Sequence, residues 1–301
     1  MNGFFNVMKP SGMSSAAVVA VFRHLTGEKR VGHAGTLDPE AAGILPVMTG
    51  KAARLFDYLT DKEKEYVAVV AFGTSTDTQD ATGTVLETGD RFPSLETVRD
   101  KCRLLTGNII QRPSMYSAIK VNGKPLYARA RNGETLVVPE RTVRIDSIEV
   151  LGEMPDHGAE IRVRCGRGTY IRTLCDDLGK LCGCPAHMRS LLRTRSGVFG
   201  TDTAISLEEA RNLAEEGKLM SRLLPPDYPL GHLRRVDAPG DLRARISAGA
   251  KLPINRFSDG LPPENEPLRL YPDNAFWGIV YRQDDHLVWR AQIAPETEDQ
   301  P

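Results

Sequence analysis

The chain reads as a mixed α+β protein, a sheet with helices packed on it, followed by a small β-rich module, and three observations predict this. Compact β-branched runs such as residues 66–72 (YVAVVAF) are interspersed with serine-capped helical stretches. After a GRGT turn, Ile171, Leu174, Cys175, Leu178, Leu181 and Cys182 recur at three- and four-residue intervals, the spacing of a helix with one apolar face. Beyond residue 230, short strand-like pieces such as FWGIVYR and HLVWRAQI are separated by a connection rich in Pro, Asn and Asp.

Each element follows in chain order. SSAAVVAVFRH, after the KPSG turn, places apolar residues at helical spacing behind a serine able to cap, so a helix is expected over 14–24. Residues 31–50, VGHAGTLDPEAAGILPVMTG, are broken by glycines and two prolines and predict a shaped loop with short elements. A buried strand is expected at 66–72 and a helix at 95–105, with Ser94 as its N-cap and Gly107 beyond its end. Alternation predicts strands at 143–151 and 160–165, then the helix closed by Gly183. Ser206 and Glu209 stand at capping-box spacing, so a second capped helix runs to about Gly217. LLPPDYPLG reads as a linker, and PETEDQP as a disordered tail.

Composition bounds the function loosely. At 301 residues the chain can bury its own core, with 41% hydrophobic and 26% charged residues, as in ordinary globular enzymes. Lys+Arg and Asp+Glu balance at 39 each, so net charge points to no partner, and any nucleic-acid surface must come from local distribution. No stretch reaches membrane-spanning length and no leader pattern opens the chain, so a cytoplasmic protein without membrane association is expected. Five cysteines without repeated C-x-x-C spacing read as buried thiols, with no metal site. The acidic run DTQDATG lacks the spacing of a calcium loop, and no phosphate-binding loop, dinucleotide fingerprint or HExxH is present.

The window GHAGTLDPEAAG is the most informative. An acid held between Leu37 and Pro39 in a glycine-rich loop is either a positioned catalytic carboxylate, Asp38, or the start of an ordinary Asp-Pro turn, and the window alone leaves both open. Taken singly, Tyr66 and Tyr170 read as core aromatics, His33 as a turn residue and Arg172 as a surface charge at a helix start.

Together these segments carry a resemblance. KPSGMSS, GHAGTLDPEAAG, KEYVAVVAFG, RPSMYSAIKVNGKPLYARAR and CGRGTYIRTLCDDLG, in that order across the first 200 residues, resemble the TruB-type tRNA pseudouridine synthases. The resemblance implies the pseudouridine synthase fold, a mixed and largely antiparallel sheet with flanking helices, over residues 1–229. It further implies a PUA-like, β-rich domain over 230–295 and a disordered tail at 296–301. It places the essential aspartate at Asp38, His33 on the RNA beside the extruded uridine, and Tyr66 and Tyr170 around the uracil. Arg172 then pairs with the catalytic carboxylate, Leu191 gives an apolar wall, and Lys9 joins the RNA-binding set more weakly. Met8 and Leu192 depart from the family pattern, which usually has Asp before Lys-Pro and an arginine beside Leu191.

The implied reaction detaches uracil from ribose at N1, turns it and rejoins it through C5, which requires no cofactor. An ionised Asp38 can act as nucleophile or as base, and a base inside a folded RNA loop must be flipped out to be reached. The implied substrate is uridine 55 of tRNA, gripped at the T-arm by a basic insertion at about 114–141 that carries Lys120, Lys124, Arg129, Arg131 and Arg141, with no obligatory protein partner. Between 162 and 195, eight bases (Arg162, Arg164, Arg167, Arg172, Lys180, Arg189, Arg193 and Arg195) face only Asp176 and Asp177, which reads as a phosphate-facing surface. The alternative is a solvated charged sheet face. The rival functions are a non-catalytic RNA-binding protein of the same fold and a sister synthase acting on another RNA.

Overall fold

A computed structural model describes the chain except for residues 60–62, 118–119, 122, 133, 135, 137, 258–262 and 295–301, so the expected tail lies outside the described residues. The chain forms two compact units that do not follow chain order. One comprises Met1–Pro39, Ile44–Thr60 and Gly197–Pro301, the other Glu40–Gly43 and Asp61–Ser196. Both are mixed α+β.

In the first unit, strand Gly3–Lys9 pairs in parallel with Ile205–Ser206, and Val31–His33 pairs antiparallel with Ala42–Thr49. Helix Ser15–Thr26 starts as expected, with Ser14 Oγ accepting from the Ala17 N–H at 3.1 Å. Its apolar face, Val18, Val19 and Phe22, packs with Phe5, Val7 and Leu45. Residues 234–292 supply a five-stranded sheet in the order Arg234–Ala238, Pro267–Pro272, Gly278–Gln283, His286–Gln292, Leu252–Pro253. Tyr271, Phe276, Ile279 and Ile293 from this region share one apolar cluster with Phe4, Ile44, Met48 and Leu55. The expected linker at 223–231 is instead packed: Phe4 and Leu224 exchange backbone hydrogen bonds of 2.9 and 2.8 Å, and Pro229 and Leu230 are buried. Its prolines suit an irregular extended path, which composition alone reads as a linker.

The second unit is built on an antiparallel sheet in the order Ala186–Ser196, Lys64–Phe72, Gly158–Cys165, Arg141–Met154, Gly107–Gln111. Helices Leu95–Leu104 and Ile171–Cys182 pack on it and on each other, burying Val98, Cys102, Leu174 and Leu178. Gly183, at φ +69°, ends the second helix as expected.

Residues 31–50 are more regular than a loop. Ala42–Thr49 is an eight-residue strand with seven buried positions, and its glycine and proline have local reasons. Gly43, at φ +119°, lies against Arg193, where an added Cβ would stand 2.2 Å from the Arg193 carbonyl oxygen. Pro46 has no N–H, but its carbonyl accepts from the Ala34 N–H at 2.9 Å. Among the described residues, no helix is long and apolar enough to cross a membrane.

Candidate active site

Asp38 is half-buried, and both of its chain neighbours are anchored. The buried Ser15 hydroxyl accepts from the Leu37 N–H at 2.9 Å and donates to the Leu37 carbonyl at 3.0 Å. On the other side, the Pro39 carbonyl accepts from the Gly12 N–H and from the Lys9 ammonium, each at 2.9 Å. Lys9, grouped in the sequence with RNA-contacting residues, is wholly enclosed. Its ammonium also donates to the carbonyls of Pro10 at 2.8 Å and Met13 at 2.6 Å, which accounts for a cation out of water. The KPSG turn, the first helical turn and the Asp38 loop are thus sewn together by two buried side chains. His33 is half-buried opposite Val47 in the short hairpin that leads into this loop.

The remaining sequence-identified residues lie in the second unit. Tyr66 is buried in the sheet, opposite Val163 on one side and Arg193 on the other. Leu191 is buried on the neighbouring strand, paired with Ala68. Tyr170 is the extended residue that opens helix Ile171–Cys182. The fully buried Gln111 amide fixes its backbone in both directions, accepting from the Tyr170 N–H at 3.0 Å and donating to the Tyr170 carbonyl at 3.1 Å. Arg141 stands over the Tyr170 ring at 5.5 Å, within cation–π range.

Arg172 is not a surface charge: it is 6% exposed, and its partners include the carboxylate of Asp80 and the carbonyls of Thr78 and Tyr116, each at 3.2 Å. Asp80 belongs to DTQDATG, the acidic run that lacks the spacing of a calcium loop. Besides Arg172, the Asp80 carboxylate accepts from the Thr78 hydroxyl at 2.7 Å, the Thr82 hydroxyl at 2.6 Å and the Thr82 N–H at 3.0 Å. Burial pushes its pKa up, but the Thr82 and Thr78 bonds and the Arg172 charge outweigh it, so the pKa lies below the ordinary value. Gln79 docks the same turn on the helix, accepting from the Thr173 hydroxyl at 2.8 Å and donating to Asp176 at 3.0 Å. The local signal that could have found this turn is its density of Asp, Thr and Gln, types that bond their own backbone and reach outward.

The basic run 162–195 is only partly an exposed surface. Arg193 is 1% exposed, and Arg172 is buried as described. Arg162 pairs with Glu149 at 2.7 Å, Arg164 with Glu65 at 2.8 Å, and Lys180 with Asp176 at 2.7 Å. Glu149 and Glu65 lie outside the 162–195 window, so counting charge within it misses these two partners, while Arg167 and Arg195 remain exposed. Of the basic insertion, the backbone is described at Lys120, Lys124 and Arg131 but not their side chains, and Arg129 pairs with Glu134 at 3.2 Å. Cys102, Cys165, Cys175 and Cys184 are buried thiols as expected, and Cys182 is half-buried; burial pushes Cys102 up to about 12 and Cys165 up to about 11.

Two family models match adjoining parts of the chain. The TruB family pseudouridylate synthase N-terminal domain covers residues 23–171, and the tRNA pseudouridylate synthase B C-terminal domain covers 172–231. The chain is 39% identical to tRNA pseudouridine synthase B of Alkaliphilus oremlandii over 288 residues, 95% of each chain. It is 42% identical to the same-named protein of Bacillus licheniformis over 257 residues, 83% of each. Among solved structures, a chain of a Cbf5–Nop10–Gar1 complex superposes with a TM-score of 0.69 at 27% identity, covering 93% of this chain and 78% of the other.

Proposed function

The chain belongs to the TruB family of tRNA pseudouridine synthases, and we propose that it isomerises uridine 55 in the T-loop, flipping the base out and using Asp38 as the essential carboxylate. The observation that carries the assignment is the anchoring of the Asp38 loop: Leu37 and Pro39 are held by buried Ser15 and Lys9, while Asp38 keeps access to solvent. A carboxylate on a backbone fixed at both neighbours need not be reoriented when substrate arrives, which lowers the barrier to an attack or proton transfer at one atom.

The other roles follow residue by residue. His33, at the entry to the loop, contacts the RNA near the flipped uridine. Tyr66 and Tyr170 provide aromatic faces that replace stacking lost on flipping, and Leu191 an apolar wall. Arg172 is the cation of the reaction centre, fixed by the 77–83 turn. Lys9 acts through the loop it holds. Residues 1–229 constitute the catalytic domain, the basic insertion at about 114–141 grips the T-arm, and the strands of 230–295 add a further RNA-binding module. The rearrangement is redox-neutral and intramolecular, so these side chains suffice without cofactor, metal or protein partner, in the cytoplasm.

Incubating the protein with an unmodified tRNA transcript and mapping pseudouridine at single-nucleotide resolution tests this directly. Pseudouridine is expected at position 55 alone, and Asp38→Asn is expected to abolish it while retaining tRNA binding. Modification elsewhere would refute the target, and an active Asp38→Asn protein would refute the carboxylate.

A further inference from the structure

We propose that Tyr116 is a positioning residue for Arg172, tying the stem of the basic insertion to the turn that holds the guanidinium. The inference rests on the reading that Arg172 serves the reaction centre.

Tyr116 bonds twice, in two directions. Its backbone carbonyl accepts from Arg172 Nη2 at 3.2 Å, and its hydroxyl donates to Asp77 Oδ2 at 3.1 Å. Asp77 opens the turn whose next residues hold the other side of the same guanidinium, Thr78 through its carbonyl and Asp80 through its carboxylate. The other Asp77 oxygen accepts from the Thr84 N–H at 2.8 Å, so Asp77 also closes the turn on itself. The bonds form a ring from Arg172 through the turn to Asp77, across to Tyr116 and back to Arg172.

Only one link of this ring belongs to the insertion. Tyr116 follows Arg112, Pro113, Ser114 and Met115 on the way into the 114–141 segment, and all of them line a cleft of about 780 Å³ with Asp77, Gln79 and Lys180. The insertion stem therefore borders open space on one side. Hydrogen bonding to Asp77 pushes the Tyr116 phenol above its ordinary pKa, consistent with a donor committed to a carboxylate. Seating the hydroxyl on Asp77 puts the Tyr116 carbonyl under Nη2, and lifting it removes one of the acceptors that orient the guanidinium.

The test is single-turnover pseudouridine formation on a tRNA transcript at saturating protein, with the Kd for that transcript and the melting temperature measured in parallel. Tyr116→Phe keeps the ring and the carbonyl and removes only the hydroxyl. It is expected to slow the saturated rate about three- to tenfold, the size of one lost hydrogen bond, with Kd and melting temperature unchanged. Asp77→Ala is expected to cost less in the Tyr116→Phe background than in the wild type, because the link is already broken. A wild-type rate in Tyr116→Phe, losses that multiply in the double variant, or a loss confined to Kd would each overturn the proposal. Arg172→Lys separates the two readings. Full activity in Arg172→Lys removes the premise, whereas loss there beside an unaffected Tyr116→Phe removes only the coupling.

Discussion

A few polar side chains fix the backbone on either side of Asp38 and hold the Arg172 guanidinium. Ser15 and Lys9 hold the neighbours of Asp38, and Asp80 holds Arg172. The state of Asp80 carries a pH dependence with a definite sign. Its folded pKa lies below the unfolded value, so its contribution to stability is complete above the unfolded carboxylate range, near pH 4, and is lost as pH falls through the depressed folded pKa. Urea unfolding of wild type and Asp80→Asn is therefore expected to show a constant wild-type advantage from pH 5 to 7 that shrinks below about pH 4. An advantage that grows on acidification would contradict the ionised pair. The Asp38 loop stood out in sequence because its glycines and Pro39 are local marks, although the window alone left an ordinary turn open and only the family resemblance singled out the carboxylate. Asp80 and Gln79 did not stand out, because their partners Arg172 and Asp176 stand 92 and 97 positions away.

Helices were read more fully than strands. The three serine-capped helices and the Gly183 stop signal themselves through adjacent residues: the Ser94 hydroxyl accepts from the Thr97 N–H at 3.2 Å and that of Ser206 from the Glu209 N–H at 3.0 Å. Strands 3–9 and 186–196 had no comparable mark. In AHMRSLLRTRS the buried face includes Arg193, and two register shifts against Lys64–Phe72 break the alternation that would reveal a strand. The fit of Ala42–Thr49 beside that strand yields an element-scale prediction. In Gly43→Ala the new methyl meets Arg193 backbone at a φ that L-residues rarely adopt, so a loss of about 2–4 kcal/mol is expected in urea unfolding. A loss below about 0.5 kcal/mol would show that the strands part at this point.

Over the whole molecule, acidic and basic residues are equal in number, 39 each, and among the described residues several arginines stand beside an acid. Arg162 and Arg164 already have Glu149 and Glu65 beside them, on an exposed face where each pair is worth little to stability. Replacing either arginine with alanine is expected to change the tRNA Kd by less than about twofold and to leave its salt dependence intact. A drop of about one in the slope of log K against log salt would mark that arginine as a phosphate contact.

The apolar cluster that joins Phe4, Ile44 and Leu55 to Tyr271, Ile279 and Ile293 has a consequence for the order of events during synthesis. Residues 4–55 here pack against residues 271–293, so these are contacts of very long sequence separation, which close late. The second unit is drawn almost wholly from 61–196, whereas the first, which carries the Asp38 loop, includes the C-terminal strands. During synthesis the second unit can therefore be complete while the first still waits for its C-terminal strands.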